Sequence, residues 1–337
     1  MPVISIVLPV RNAAATLLRA LGSVRSQRWP DWELIAIDDG SADATPAVLR
    51  AAAGADARVR VLSPGRVGLV AALNLGLQAA RGEFIARMDA DDEMHPDRLA
   101  AQAERLRREP ALGLVGCLVA FGGDREAQAG YAAHVDWMNA LVSPEAIALN
   151  RFVESPLAHP SVMFRRELVA RHGGYRAGDY PEDYELWLRW LDAGVRMAKV
   201  PEVLLMWHDD AARLSRTDPR YGPEAFFRLK AEWIARWLRR EIDPARKIFV
   251  WGAGRPTRLR AAHLQTHGVT IAGYVDIDPR KIGQTVHGLP VIAPAALPER
   301  ERAFVLSYVA NRGARDWIRA ELQRQGRAEG RDFLLCA

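Results

Sequence analysis

The sequence predicts an α/β protein in two chemically different parts, on three observations. Short apolar runs rich in branched residues, Ile4 to Leu8, Leu34 to Ile37, Val59 to Leu62 and Phe84 to Met88, alternate with stretches of helical period. That is the pattern of a parallel sheet buried on both faces. A second strand running into a glycine turn, Lys247 to Gly254, begins late in the chain. Charge divides at the same place: of 337 residues, the first 219 carry 25 basic and 29 acidic side chains, 220–246 carry 7 and 4, and 247–337 carry 14 and 8. The expected organisation is a domain over 1–219, a connecting helix over 220–246 and a smaller α/β domain over 247–337.

Each element has its own signal. After the first strand, Leu17, Leu18, Leu21 and Val24 share one helical face. The second strand ends in Asp38-Asp39-Gly40-Ser41, with Asp43 placed to start a helix over Ala44 to Ala52. The fourth ends in Met88-Asp89-Ala90-Asp91-Asp92-Glu93, ahead of a helix reaching Arg108. Pro181 to Arg189 reads as the entrance of an amphipathic helix. In the connecting segment Pro223 takes a first-turn position, and Phe226, Phe227, Leu229, Trp233, Ile234, Trp237 and Leu238 form one broad apolar stripe, ending near Asp243-Pro244. Beyond it, the strand from Lys247 and a second strand ending at Asp276 give the last domain a Rossmann-like pattern.

Composition narrows the class. With 49% hydrophobic and 26% charged residues the chain is an ordinary globular protein. Two cysteines, Cys117 and Cys336, are too few for a disulfide framework, which points to a reducing compartment. No basic segment precedes the first apolar run, and nowhere do 18 apolar residues follow one another, so neither a signal peptide nor a membrane span is expected. A cytoplasmic location is expected, with the inner face of the membrane left open. The net charge of +5 raises nucleic acid, anionic lipid or phosphorylated ligands. A basic run interleaved with aromatics is missing, so nucleic acid is not expected.

The candidate chemistry lies at the carboxyl ends of the first-domain strands, where open α/β sheets bind ligands. Asp38 or Asp39 can accept hydrogen bonds from a base or a ribose; a capped turn accounts for the same residues. Alternate carboxylates at Asp89 and Asp91 can face one hard cation that also meets a phosphate, while Asp92, Glu93 and Asp97 would equally suit a helix start. Asp183 can serve as a general base if it faces a cleft; otherwise it only complements the helix dipole, with Glu185 and Arg189 as a surface pair.

Taken in order, the first strand with Pro9 and Arg11, DDGSAD, RVGLVAALNLGLQAARGEFIARMDADD, HPSVMFRRELV, GGY and EDYELWLR resemble the family 2 glycosyltransferases of GT-A fold, over residues 2 to 217. The resemblance implies inverting transfer from a nucleotide-sugar, usually a UDP-sugar, with Mn2+ or Mg2+, to a glycan or lipid-linked acceptor, as in cell-surface polysaccharide synthesis. It implies Pro9, Arg11, Asp38, Asp39, Arg66, Gly68 and Asn74 near the nucleotide, although the family more often has Asn at the position of Arg66. Asn74 also reads as a helix polar group with local partners. By the same resemblance Asp89 contacts ribose, Asp91 the metal, and Asp183 is the catalytic base with Glu182 supporting it. His159-Pro160-Ser161 matches the acceptor-side strand. Trp207-His208-Asp209-Asp210 with Arg213 and Arg216 matches the closing loop, with His208 a further metal ligand or a structural group and the arginines suited to a diphosphate.

The last domain carries a partial dinucleotide fingerprint: Gly252 and Gly254 are present, Thr257 replaces the third glycine, and Asp276 stands where a ribose-binding acid belongs. Three readings stay open there: a structural or self-association domain, an accessory nucleotide-sugar site, or an NAD site. For the whole protein the rival functions are a modifying enzyme centred on that domain and a non-catalytic nucleotide-sugar sensor. Arg228, Arg236, Arg239 and Arg240 beside Trp233 and Trp237 leave two readings of this helix open, a peripheral contact with an anionic membrane surface or a helix that packs its tryptophans between domains.

Overall fold

The computed structural model describes residues 2–209, 213–311 and 313–337. The chain forms two compact units. Unit 1 comprises 1–148, 156–178 and 182–217; unit 2 comprises 149–155, 179–181 and 218–337.

In chain order the elements from the N-terminus are β1 (Ile4–Val10), α1 (Leu17–Arg25), β2 (Trp32–Asp38), α2 (Thr45–Ala55), β3 (Val59–Leu62), α3 (Leu69–Ala79), β4 (Phe84–Arg87), β5 (Glu93–Met94), α4 (Arg98–Arg108), β6 (Leu112–Phe121), α5 (Ala129–Ala140) and α6 (Pro144–Asn150). A 3-10 turn at His159–Ser161 leads into β7 (Met163–Arg165), α7 (Glu167–His172), α8 (Glu182–Asp192), β8 (Arg196–Trp207) and the short α9 (Leu214–Thr217). The strands make one sheet in the order β3-β2-β1-β4-β7-β6-β8-β5. β1 pairs in parallel with β2 and β4, and β7 runs antiparallel between β4 and β6. Every residue of β1 and β2 is buried, because helices cover both faces. Ile4, Ile6 and Leu8 pack on one side with Leu17, Leu21, Leu49, Leu99 and Leu106. Val7, Ile35 and Ile37 pack on the other with Leu73, Leu77, Leu186, Trp187 and Trp190. This is the GT-A arrangement expected.

Unit 2 contains α10 (Pro223–Glu241), β9 (Lys247–Trp251), α11 (Arg255–Gln265), β10 (Ile271–Val275), β11 (Thr285–Val286), β12 (Leu289–Ile292), β13 (Ala303–Ser307), α12 (Ala314–Arg324) and β14 (Phe333–Leu335). Its sheet runs β11-β12-β10-β9-β13-β14, all parallel except the β11–β12 hairpin. α10 belongs to this unit: the Trp237 ring packs at a tilt against Phe304, centroids 5.7 Å apart, and Lys230, 2% exposed, donates to the Val153 and Cys336 carbonyls. Trp233 and Trp237 are 6% and 7% exposed, so the apolar stripe is core rather than a membrane-facing surface. Among the described residues no helix is long and apolar enough to cross a membrane. Cys117 and Cys336 are free and buried.

Candidate functional site

The register of β1 sets the site. Val10 pairs with Asp38, and Val7 with Arg87, so the chain leaves β1, β2 and β4 at one edge of the sheet. The loops after β1 and β2 are tied together: Asn12 donates its N–H to Ser41 Oγ and accepts from Ala42 N–H, while Ala14 N–H reaches Asp43 and Ala13 N–H reaches Thr45. Asp43 also accepts from Thr45 N–H, although the N-cap of α2 is Ala44, one residue later than the helix start expected at Asp43.

Asp39 is buried and one of its oxygens, Oδ1, accepts from Val67 N–H at 2.6 Å and Gly68 N–H at 2.8 Å. Gly40 sits beside it at φ +68°, and a Cβ there would lie 2.9 Å from the backbone nitrogen of Arg66, so both conformation and contact require glycine. Asp38 accepts from Ser41 N–H and is likewise buried. These contacts bring Asp38, Asp39, Arg66 and Gly68 into one ledge. Pro9 is buried within β1, while Arg11 and Arg66 are exposed. Asn74 stands apart in role: its side-chain amide donates to Tyr175 O and accepts from Tyr175 N–H. The amide is committed to the backbone of Tyr175, 101 residues away in the chain, which is neither the nucleotide contact expected of it nor the local partner of the helix-polar alternative.

After β4 the acidic run folds into a cluster. Carboxylate oxygens of Asp89, Asp91 and Asp92 lie within 4.8 Å of one another, and Oδ2 of Asp92 is buried without a hydrogen-bond partner. An all-oxygen set with a spare buried lone pair fits a hard divalent cation. In the structure Arg87 bonds Asp89 at 2.6 Å, and the Arg213 guanidinium is 3.8, 3.6 and 3.9 Å from Asp89, Asp91 and Asp92. Burial opposes ionisation of all three acids. Arg87 and Arg213 outweigh it for Asp89, which is held below the usual carboxylate range, whereas burial and the charge on Asp89 push Asp91 and Asp92 up. β5 pairs with the end of β8, Glu93 opposite Met206, and so brings His208 to the cluster. His208 N–H donates to Asp92, and its Nε2 lies 2.7 Å from Glu93 Oε1, the contact this structure gives it. Asp209 is paired with Arg216. Asp210 lies outside the described residues.

Asp183 is the second residue of α8, half-buried, beside a Glu182 that is 3% exposed. Burial and the charge on Glu182 push the Asp183 carboxyl up to about 7, against a hydrogen bond from Tyr184 N–H. Glu185 and Arg189 are not a surface pair: both are buried, bonded at 2.8 and 2.9 Å, and Arg189 also donates to the carbonyls of 172–174.

Between the acid cluster and α8 stand residues that sequence reasoning passed over. Arg87 bonds Asp89 on one side and His159 on the other. Arg98, fully buried, donates to the Arg87 carbonyl, and Gln102 donates to the carbonyls of Val115 and Ser161. The signal for them was an Arg and a Gln one turn apart among Leu99, Ala103 and Leu106, on the face of α4 that has to be apolar unless its polar groups are bonded.

In unit 2, Asp276 turns inward. It accepts from Ala253 N–H, Asp278 N–H and Lys281 Nζ at 2.9, 2.9 and 3.0 Å and is 7% exposed. Gly252, at φ +106°, faces Val309 and Thr257, which would lie 2.8 and 2.9 Å from a Cβ there. Gly254 caps α11 from an extended conformation. A ribose acid has to be free to meet its hydroxyls, and this one is bonded to its own loop; the ribose role expected of Asp276 is corrected accordingly.

The family model described as glycosyl transferase family 2 matches residues 5–173. A Myxococcus xanthus O-antigen biosynthesis protein, RfbC, is 34% identical over 60% of this chain, although the match spans only 16% of that longer protein. Among solved structures, S. aureus TarS 1-349 in complex with UDP-GlcNAc superposes with a TM-score of 0.57 at 16% identity, covering 79% of this chain and 72% of that one. The mannosyltransferase PcManGT from Pyrobaculum calidifontis, in complex with GDP-Man and Mn2+, gives 0.50 at 21%, covering 79% and 73%.

Proposed function

Because the chain belongs to glycosyl transferase family 2, we propose that unit 1 moves a sugar from a nucleoside-diphosphate sugar to a hydroxyl of a glycan or glycoconjugate, with inversion at the anomeric carbon. The observation that carries this is the pairing, within one unit, of a carboxylate cluster suited to a cation with a separate half-buried carboxylate, Asp183, whose proton affinity is near neutral. A general base works best with a pKa near the working pH.

In this reading the ledge of Asp38, Asp39, Arg66 and Gly68 takes the nucleoside, with Pro9 and Arg11 beside it. Asp91, flanked by Asp89 and Asp92, would hold Mn2+ or Mg2+, with His208 at the margin. Such an ion supplies positive charge to a diphosphate leaving group. Arg213 and Arg216 suit the same phosphates. Asp183 removes the proton of the acceptor hydroxyl as its oxygen attacks the anomeric carbon from the face opposite the diphosphate. The C–O bond to the diphosphate breaks as the new one forms, the proton stays on Asp183, and no covalent sugar–protein species is needed. Two similar proteins are named for UDP-GlcNAc and GDP-Man complexes and one for O-antigen biosynthesis, which supports a nucleotide-sugar donor and a cell-surface glycan product. For unit 2 the inward Asp276 favours a structural role.

The test is release of nucleoside diphosphate from UDP-, GDP- and dTDP-sugars with Mn2+, for the native chain and Asp183→Asn. Asp183→Asn should bind donor within about twofold and lose transfer by about 10²- to 10⁴-fold, the range of a general base. Near-native turnover would refute the assignment.

A further inference from the structure

The arginines around the acid cluster are not held alike. Arg87, 3% exposed, donates to Asp89 Oδ1 at 2.6 Å and to His159 Nε2 at 3.2 Å. Arg19 donates to the Asp91 carbonyl at 2.8 Å and pairs with Glu93 at 3.3 Å. Arg216 is bonded to both carboxylate oxygens of Asp209. Each of these guanidinium groups has a fixed hydrogen-bonded partner.

Arg213 faces three acids and is bonded to none of them. Its side chain is 10% exposed and lies 3.8, 3.6 and 3.9 Å from Asp89, Asp91 and Asp92, within ion-pair range and too long for a hydrogen bond. Among the described residues it donates to the His208 carbonyl, and its guanidinium lies over the Trp207 ring, 5.1 Å from the centre. Both partners stand a few residues before it in the chain. Charge alone therefore holds Arg213 to the cluster, and Asp92 Oδ2, on a side chain that is 0% exposed, keeps a lone pair that nothing uses.

A contact made of charge without bonds can be exchanged. A divalent ion bonds carboxylate oxygens directly, which Arg213 does not do here. With the guanidinium still in place that ion would meet a like charge in a site sheltered from water, where repulsion is much stronger than in solvent. A diphosphate removes the conflict, because it offers the guanidinium paired oxygens and the cation a further ligand.

We propose that Arg213 is the resident counter-ion of Asp89, Asp91 and Asp92 and is exchanged for the divalent cation when a diphosphate arrives to take up its guanidinium, so that the cation enters with the nucleotide rather than before it. The proposal rests on the reading of the cluster as a cation site. Its consequence is that one residue opposes the cation alone and favours the cation with its nucleotide.

The test is Mn2+ binding to the full chain, read from the EPR signal of the free ion. Without nucleotide, Arg213→Gln removes the charge and should tighten Mn2+ binding by about tenfold or more, the effect of one like charge nearby. Arg213→Lys keeps the charge and should stay within about threefold of native. With UDP or GDP added, whichever binds the native chain more tightly, the nucleotide should strengthen Mn2+ binding to the native chain by about tenfold more than to Arg213→Gln, since the coupling is lost with the exchanged group. Unchanged or weaker Mn2+ binding by Arg213→Gln without nucleotide overturns the proposal. So does equal tightening in Arg213→Lys, which would trace the effect to a loosened loop instead of a lost charge. Adding Asp91→Asn to Arg213→Gln should abolish the gain; if Mn2+ binds as tightly as before, it is the cation reading of the cluster that has failed, and the proposal falls with it.

Discussion

Asp183 keeps its proton to about pH 7 because burial and Glu182 oppose its charge, and the same cause acts on stability. An unfolded aspartate ionises near pH 3.9. Its folded value is higher, so the stability this group contributes is complete below about pH 4, is lost as pH rises to about 7, and stays lost above. Asp183→Asn removes the ionisable group, and its Tm should exceed the native one by a margin that is small at pH 4.5 and largest at pH 8. A margin independent of pH would contradict the cause given. The places of Asp39 and Asp89 after strands and of Asp183 at a helix entrance were legible in the sequence pattern. What their partners do was not. Asn74 and Asp276 carry the residue types of ligand contacts, yet one is bonded to Tyr175 and the other to Ala253, Asp278 and Lys281. Bonding of that kind is set by which backbone comes near, over 101 residues of chain in the case of Asn74. Arg87, Arg98 and Gln102 went unread for the converse reason: a polar residue in an apolar stripe looks like an interruption until its carbonyl partners are in place.

Helix α3 shows how the elements are seated. Gly76 faces the sheet, and a Cβ there would lie 2.5 Å from Val7 Cγ1 and 2.9 Å from Ile37 Cδ1. Val7 is β-branched and buried in a central strand, so it has little room to give. Alanine in place of Gly76 would gain up to about 1 kcal/mol in helix propensity and lose about 1–3 kcal/mol to overpacking. The expected net is a loss of about 1 kcal/mol, read as a lower denaturation midpoint at an unchanged slope; a raised midpoint would show that α3 can move off the sheet. Elements with a clean period matched their reading: β3 spans the expected Val59–Leu62, and β1 runs only two residues further than Leu8. α5 was missed because its apolar residues, Ala132, Val135 and Met138 among others, are not confined to one helical stripe. β8 was missed because Pro201 and Glu202 interrupt it. The ladder absorbs them as a bulge, stepping from Cys117–Val200 to Leu118–Val203.

Across the whole chain the charge of +5 separates by sequence, 25 basic against 29 acidic side chains in the first 219 residues and 14 against 8 from 247 onward. The acidic part holds the carboxylate cluster, which is consistent with a site that takes phosphates through a cation. The basic excess, with four arginines and two tryptophans on α10, is the feature that suggested a membrane surface. Interfacial helices hold on through buried apolar area, with charge as an addition. Trp233 and Trp237 are spent inside unit 2, Arg228 and Arg239 donate to the Asp179 and His267 carbonyls, and Arg236 lies over Trp233. Only exposed charge is left to meet a lipid. Screening shortens such interactions from a range of about 10 Å at 0.1 M salt to about 3 Å at 1 M. The full chain should therefore not sediment with zwitterionic vesicles, any binding to anionic vesicles should vanish by about 1 M salt, and tryptophan emission should not shift when it binds. Salt-resistant sedimentation with a blue shift would mean that α10 leaves the core to reach the lipid, and would restore the apolar stripe as a membrane face.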